Sequence, residues 1–204
     1  MYSVKLDEEL VYPTKVICVG RNYLEHIHEL NNAVPEQMVV FNKPSTSISS
    51  VLRATHQEPL HYEGEICFLI KNNQFHAVGL GLDLTKRGLQ SKLKEKGLPW
   101  ERAKAFDGSA VFSRFIPVAG LDINSLEIEL FINCVRVQKG DVSQMMYPPQ
   151  VILQELQSYT TLQDGDVIMT GTPQGVGEVH RGDLFLARLK CKDETLIEIE
   201  WVAE

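Results

Sequence analysis

Residues 61–70, HYEGEICFLI, constrain the fold more than any other stretch of this chain. Alternate side chains of a strand share a face, and in this stretch both faces are apolar. One face carries Cys67 and Leu69, and the other carries Ile66 and Phe68. Such a strand is covered on both sides. The 204 residues can supply that cover, because a chain of this length buries about 70% of its unfolded surface. The sequence therefore predicts an interior strand within a sizeable core.

Strand patterns dominate the rest of the chain, and helical patterns are few. The predicted strands are 16–19, 38–41, 63–70, 75–83, 126–132, 184–191 and 197–201. The predicted helices are 22–30, 86–96 with Gly97 as its C-cap, and 149–158 with a proline in its first turn. Many strands with only three or four helices indicate a β-rich fold with an antiparallel or mixed sheet, not a repeat of βαβ units.

The composition excludes several classes of protein. The net charge of −7 disfavours nucleic-acid binding, which needs clustered Lys and Arg. No apolar run approaches the ~20 residues that cross a bilayer, and the polar, acidic beginning of the chain predicts no signal peptide. The four cysteines form no CxxC pair, which indicates reduced thiols. We therefore expect a single domain over residues 1–204, located in the cytoplasm, with neither nucleic acid nor membrane as a partner.

Two carboxylates stand at the beginning of the central strand, where Glu63 and Glu65 share a face. Charges beside an apolar core are costly unless a cation compensates them, and Mg²⁺ is a hard cation that prefers oxygen ligands. Asp83, at the end of the predicted hairpin partner, is a candidate third ligand. A solvated face is the more frequent meaning of a Glu-x-Glu pair, and it is the meaning we expect for Glu127 and Glu129.

A candidate acid–base pair lies in the predicted helix 22–30. Residues three apart on a helix are neighbours, so His26 can touch Glu29, and Glu25 can equally touch His28. A carboxylate that orients an imidazole makes the imidazole a better general base toward water. Spacing does not choose between the two pairs, and a solvated helix face would explain either of them.

Two further features carry no function by themselves. Lys104 is a lone lysine, a residue type that is ordinarily exposed to solvent. The loop GTPQGVG at residues 171–177 follows an apolar strand, and its glycines permit either close approach to a ligand or simply a turn. This loop is not a P-loop, because it lacks Gly-Lys-Ser/Thr, and it lacks the third glycine of a dinucleotide-binding fingerprint.

In their order along the chain, these motifs resemble the fumarylacetoacetate hydrolase family, and most closely its short acylpyruvate hydrolase and oxaloacetate decarboxylase branch. The resemblance covers about residues 15–200. The motifs that carry it are Gly-Arg-Asn-Tyr-x-x-His-x-x-Glu at 20–29, Lys-Pro-Ser at 43–45, Glu-x-Glu at 63–65, Asp-x-Thr-x-Arg-x-x-Gln at 83–90, Leu-Pro-Trp at 98–100, Lys-x-Phe-Asp at 104–107 and Gly-Thr-Pro-x-Gly-Val-Gly at 171–177.

The resemblance implies a fold, an assembly and a site. The implied fold is α+β and β-rich, a mixed β-sandwich roll with a few short helices, usually assembled as a homodimer. Mg²⁺, or alternatively Mn²⁺, would be held by Glu63, Glu65 and Asp83. The resemblance selects His26 and Glu29 as the catalytic pair and makes Lys104 a charge stabiliser. The residues it places near the substrate are Arg21, Lys43, Arg87, Gln90 and Thr172.

The implied activity is Mg²⁺-dependent hydrolysis of a C–C bond in acylpyruvates, which gives pyruvate and a carboxylic acid. His26 would activate the attacking water, and the metal would stabilise the enolate that leaves. The same enolate forms when oxaloacetate loses CO₂ or tautomerises, so an oxaloacetate decarboxylase or keto–enol tautomerase is the alternative. A module that only binds a keto acid or a metal is the non-enzymatic alternative, and such a module would not need the acid–base pair.

Overall fold

The structure is a computed structural model that describes residues 2–30 and 32–204. Within these residues the chain forms sixteen strands and four α-helices. The strands are β1 (Val4–Leu6), β2 (Glu9–Val11), β3 (Lys15–Gly20), β4 (Val39–Pro44), β5 (Ile48–Ser49), β6 (His61–Tyr62), β7 (Gly64–Lys71), β8 (Gln74–Asp83), β9 (Ala110–Phe112), β10 (Ile116–Pro117), β11 (Leu126–Ile132), β12 (Val135–Asp141), β13 (Val167–Met169), β14 (Gly177–Glu178), β15 (Leu184–Cys191) and β16 (Glu194–Val202). The helices are α1 (Leu24–Glu29), α2 (Arg87–Glu95), α3 (Glu101–Lys104) and α4 (Pro149–Tyr159).

Two sheets build most of the molecule. The larger sheet has eight strands in the order β4-β3-β13-β7-β8-β9-β5, with β10 also pairing with β8. It is mixed, because β3 runs parallel to β13 and β5 runs parallel to β9, whereas its other pairings are antiparallel. The smaller sheet, in the order β12-β11-β15-β16, is antiparallel throughout. The predicted β-rich α+β class with a mixed sheet is therefore confirmed.

The core lies on both faces of strand β7, as the apolar pattern of that strand predicts. Ile66 and Phe68 belong to a cluster that also contains Ile128 from the smaller sheet, so the two sheets pack face to face. Cys67 and Leu69 belong to a second cluster, formed with β3 and β13 inside the curled larger sheet. Full burial of one such side chain contributes about 1.5–3 kcal/mol. Because β7 is buried on both faces, it stabilises both clusters.

Helix α4 covers the other face of β3 and β13. Pro149 stands in its first turn, where the missing N–H of proline costs no hydrogen bond. Its buried aliphatic side chains beyond Pro149 are Ile152, Leu153 and Leu156, and they pack against Ile17, Val19 and Ile168. Among residues 2–30 and 32–204, none of the helices has both the length and the apolarity needed to cross a bilayer.

Among the predicted helices, 22–30 differs most from the structure, in which α1 begins at Leu24. Arg21 lies in the turn before this helix and has φ +55°, and Tyr23 is extended, with φ −122°. Asn22 uses its side chain to bind backbone groups of other segments, which is a tertiary demand that helical periodicity does not report. Helix α3 is a single turn and was not predicted, because four residues are too few for a periodic signal.

Candidate active site

Three carboxylates meet where β8 ends beside the beginning of β7. The backbone N–H of Asp83 donates to the carbonyl oxygen of Glu63 at 2.9 Å, which places the two residues side by side. One carboxylate oxygen from each of Glu63, Glu65 and Asp83 lies within 4.8 Å of the other two. Their exposed fractions are only 6%, 2% and 1%. The structure thus brings together the three acids that the sequence singles out.

Lys104 lies between two of these acids and not on the surface, where a lone lysine is ordinarily found. Its Nζ donates to Glu63 Oε2 at 2.8 Å, to Asp83 Oδ2 at 2.9 Å and to Thr85 Oγ1 at 2.6 Å. Burial alone would lower the pKa of Lys104, but the carboxylates of Asp83 and Glu63 outweigh burial and raise that pKa above its ordinary value. Lys104 therefore remains an ammonium ion beside the acids.

Lys43 supports this arrangement from behind. Its Nζ lies 2.8 Å from Asp83 Oδ1 but directs its protons to the carbonyl oxygen of Lys104 and to Ser109. The contact with Asp83 is thus a charge contact without hydrogen-bond geometry, and Asp83 Oδ1 has no hydrogen-bond partner among the described residues. Lys43 is fully buried and does not line the pocket, so its position suits support of Asp83 and Lys104.

Glu65 is the acid that the neighbouring cations leave least compensated. Its Oε2 accepts from the backbone N–H of Gly171 at 2.7 Å, and in the described part of the chain no lysine or arginine donates to it. Burial, followed by the charges of Asp83 and Glu63, raises the pKa of Glu65 well above its ordinary value. A divalent cation among the three acids would remove this repulsion. Three oxygen donors suit a hard ion such as Mg²⁺ or Mn²⁺, so the residues present fit one.

Helix α1 brings an imidazole and a carboxylate to the same place. His26 Nδ1 lies 3.1 Å from Glu29 Oε2, and Glu29 Oε1 accepts from the backbone N–H of Gly175 at 2.9 Å. His26 is 6% exposed and lines the pocket beside the acids. Glu25 and His28, the alternative pair by spacing, are both exposed. The geometry therefore favours His26 and Glu29.

One pocket collects nine of the eleven site residues predicted from the sequence. These are Arg21, His26, Glu63, Glu65, Asp83, Arg87, Gln90, Lys104 and Thr172. The remaining two, Glu29 and Lys43, stand behind His26 and Asp83. Arg87 is held in place because it donates to Gln90 Oε1 at 2.8 Å and to Glu63. Burial would raise the pKa of Glu63, but Lys104 and then Arg87 hold that pKa well below its usual range.

Asn22 is a residue of the site region to which sequence reasoning gave no role. It is fully buried, and its Nδ2 donates to the carbonyl oxygens of Tyr147 at 3.0 Å and Thr170 at 2.8 Å. Its Oδ1 accepts from the backbone N–H of Tyr147 at 2.8 Å. These bonds fix the chain just before helix α1. The only signal in the sequence is the place of Asn22 inside the Gly-Arg-Asn-Tyr motif.

Gln138, on β12 of the smaller sheet, was also missed. Its Oε1 accepts from the backbone N–H of Gly64, the residue between the two glutamates, at 2.9 Å. Its Nε2 donates to Thr172 Oγ1 and to the carbonyl oxygen of Pro173, both at 2.8 Å. No local pattern predicts these bonds, because the partners are more than thirty residues away along the chain.

Lys94 also lines the pocket, and here a signal existed. It lies four residues after Gln90 and seven after Arg87, so all three share one face of helix α2.

The glycine loop at residues 171–177 reaches the site through its tight backbone. Gly175 has φ +99°, and a Cβ there would lie 1.9 Å from the carbonyl oxygen of Val137, so only glycine fits.

Comparison with known sequences identifies relatives of this chain. The family model described as fumarylacetoacetate (FAA) hydrolase, C-terminal, matches residues 15–201. Oxaloacetate tautomerase YcgM of Escherichia coli is 39% identical over 193 residues, which cover 85% of this chain and 88% of that protein. A mitochondrial oxaloacetate tautomerase of Homo sapiens is 36% identical over 185 residues, which cover 82% of this chain and 83% of that protein.

A solved structure agrees with these relatives. The crystal structure of fumarylpyruvate hydrolase from Pseudomonas aeruginosa, in complex with Mn²⁺ and pyruvate, superposes with a TM-score of 0.88 at 27% identity. The superposition covers 98% of this chain and 94% of that one. The sandwich fold, the family match and the relatives agree, and the chain is therefore an enzyme of the fumarylacetoacetate hydrolase family.

Proposed function

We propose that this protein is an oxaloacetate tautomerase, which interconverts the keto and enol forms of that acid. The observation that carries the proposal is one pocket that combines three buried carboxylates, a protonated Lys104 and the His26–Glu29 pair. Relatives named oxaloacetate tautomerase, at 39% and 36% identity, support this reaction. They favour it over acylpyruvate hydrolysis, the activity that the sequence alone ranks first.

The reaction defines what the pocket has to do. A C3–H bond breaks, the double bond moves from C2=O to C2=C3, and a proton is added to the C2 oxygen. The intermediate is an enolate, so the site needs a proton carrier and positive charge near the C2 oxygen. An Mg²⁺ or Mn²⁺ ion held by Glu63, Glu65 and Asp83 would supply Lewis-acid stabilisation of that charge.

The side chains of the protein supply the rest. Because Glu29 faces Nδ1 of His26, the Nδ1–H tautomer is favoured and Nε2 keeps a lone pair. Nε2 can therefore take the proton from C3 and deliver it to the C2 oxygen, and it carries the proton the opposite way when the enol returns to the keto form. The three protons of Lys104 are donated to Glu63, Asp83 and Thr85, so its ammonium would act on the developing oxyanion as a nearby positive charge, which its raised pKa maintains.

Decay of enol-oxaloacetate, followed by ultraviolet absorbance, tests the proposal. We expect purified protein with Mg²⁺ to accelerate the decay, and EDTA to abolish the acceleration. His26→Ala should lower kcat at least a hundredfold, within the range that general acid–base catalysis contributes, roughly 10²–10⁴-fold. Glu25→Ala, an exposed change on the same helix, is the matched control and should leave the rate unchanged. A wild-type rate equal to that of buffer with Mg²⁺ would refute the proposal.

Hydrolysis of an acylpyruvate is the second candidate. The similarity to fumarylpyruvate hydrolase favours it, because the same pair could activate a water. Pyruvate release from acetylpyruvate and fumarylpyruvate measures this activity. Decarboxylation of oxaloacetate needs no attacking water, so His26→Ala should reduce hydrolysis much more than decarboxylation, whereas Glu65→Ala should abolish both. Equal losses in the histidine variant would argue against this division.

The single domain over residues 1–204, the cytoplasmic location and the homodimer remain predictions. Light scattering on the purified protein tests the assembly, and a monomer at micromolar concentration would contradict the homodimer.

A further inference from the structure

The Leu-Pro-Trp motif at residues 98–100 has no role in the chemistry above, yet Trp100 lines the same pocket. Lys94 Nζ lies 5.1 Å from the centroid of the Trp100 indole, and the guanidinium carbon of Arg21 lies 5.9 Å from the same centroid. Both distances are within the range of cation–π attraction. Two cations from separate segments of the chain therefore share one aromatic ring at the pocket wall.

Neither cation has an acidic hydrogen-bond partner among the described residues. The Nζ of Lys94 makes no hydrogen bond or ion pair there, and the Arg21 guanidinium donates only to Ala33 O at 3.4 Å and Asn32 Oδ1 at 3.5 Å. The Nε of Arg21 is buried and has no hydrogen-bond partner in the part of the chain that the structure describes. Burial, followed by the charges of Arg21 and Arg87, lowers the pKa of Lys94 to about 8. Within the described residues, Glu63 is the one negative charge that acts on Lys94, and neighbouring positive charges and burial outweigh it.

The place of Lys94 on helix α2 relates these cations to the acids. Arg87, at the beginning of this helix, contacts Glu63, and Lys94 lies seven residues further along the same face. At 1.5 Å per residue this is a separation of roughly 10 Å along the helix axis. Lys94 thus lines the same pocket as the acids but stands farther from them than Arg87, where the flexible lysine side chain can meet the distal end of a bound keto acid.

We propose that Lys94 and Arg21, both held on Trp100, form the subsite for the distal carboxylate of a dianionic keto acid. This inference rests on the proposed function, because it makes the pair the determinant of selectivity for oxaloacetate over keto acids that carry a single charge. A carboxylate here would hydrogen bond to two cations and relieve their mutual repulsion.

Substrate pairs and matched variants test this subsite. Oxaloacetate carries the distal charge, and its 4-methyl ester does not. Lys94→Met should raise KM for oxaloacetate about 10- to 100-fold, as expected for loss of one charge-assisted hydrogen bond in a partly buried site, and should leave KM for the ester within about twofold. Lys94→Arg should restore selectivity. Lys92→Met, a change at an exposed residue of the same helix, should change KM for neither substrate.

Binding supplies a readout that does not need turnover. In calorimetric titrations of Mg²⁺-loaded protein, Lys94→Met should weaken the binding of oxaloacetate. It should not weaken the binding of oxalate, which has no distal carboxylate. Equal effects on both ligands, or no effect on either, would overturn the subsite. If wild-type protein binds oxaloacetate selectively but does not accelerate its tautomerisation, the subsite stands and the proposed function fails.

Discussion

Substitution of Asn22 by alanine tests the architecture of the site most quantitatively. The change removes two hydrogen bonds donated to the carbonyl oxygens of Thr170 and Tyr147, and one accepted from the Tyr147 N–H. Each bond contributes about 1 kcal/mol net, and each buried group left unpaired costs about 1–3 kcal/mol. Because the carbonyl of Thr170 is buried, we expect Asn22→Ala to lower the free energy of unfolding by about 3–4 kcal/mol.

Urea unfolding followed by circular dichroism measures this loss. For a chain of 204 residues the loss corresponds to a fall in Tm of roughly 10 °C, at about 2–4 °C per kcal/mol. The activity should fall as well, because the bonds of Asn22 fix the entry to the helix that carries His26.

A matched pair makes the result interpretable. Asn42 is exposed on the edge strand β4, and Asn42→Ala should change stability by less than about 0.5 kcal/mol. Asn22→Asp keeps the acceptor for Tyr147 N–H but sets a carboxylate against two carbonyl oxygens, so it should be at least as destabilising as Asn22→Ala. If Asn22→Ala is as harmless as Asn42→Ala, the hydrogen-bond reasoning is refuted.

The acids, the glycine loop and the pocket lysine each give another test. Mg²⁺ at a hundredfold excess over its Kd should stabilise the wild type by about 2.7 kcal/mol. Glu65→Gln should remove that gain in a thermal melt without destabilising the metal-free protein, and a retained shift would contradict the ligand assignment. Gly175→Ala should cost roughly 2–4 kcal/mol in urea unfolding, because its Cβ would collide with Val137 O at a φ of +99°, and wild-type stability would show that the loop can move aside. Because the pKa of Lys94 is lowered to about 8, it loses its charge as pH rises through that value, so KM for oxaloacetate should increase above pH 8. The same pH profile should be flat in Lys94→Arg, and an identical rise in both proteins would exclude Lys94 as its cause.

The parts of the fold that follow from local periodicity could be predicted. The apolar faces of β7, the turn between β7 and β8, and helix α4 all depend on neighbours within a few residues. The grouping of the three acids could also be predicted, since Glu63 and Glu65 share a strand face and Asp83 ends the adjacent strand. Their roles as ligands rest on the family resemblance, and the metal titration above tests them.

Features that depend on tertiary contacts could not be predicted. Glu129 was expected on a solvated face, but it is only 7% exposed and its carboxylate pairs with Arg136 at 2.9 Å across the sheet. The alternation of residues on β11 identifies a face but not the long side chains of the neighbouring strand that cover it. Lys94 is the opposite case. Its spacing of four residues from Gln90 on a predicted helix indicates that the two side chains share a face, but Lys94 was assigned no role from the sequence.

The hydrogen bonds of Gln138 connect the smaller sheet to both the glutamate segment and the glycine loop of the candidate site. The spacing between the glutamates and the glycine loop is thus set from β12, a strand whose residues do not line the pocket. Loss of this single amide would change that spacing while the hydrophobic cluster between the sheets stayed intact. Variants selected only for a well-folded sandwich could lose activity at this distant amide, so Gln138 would need to be retained in any redesign of the interface between the sheets.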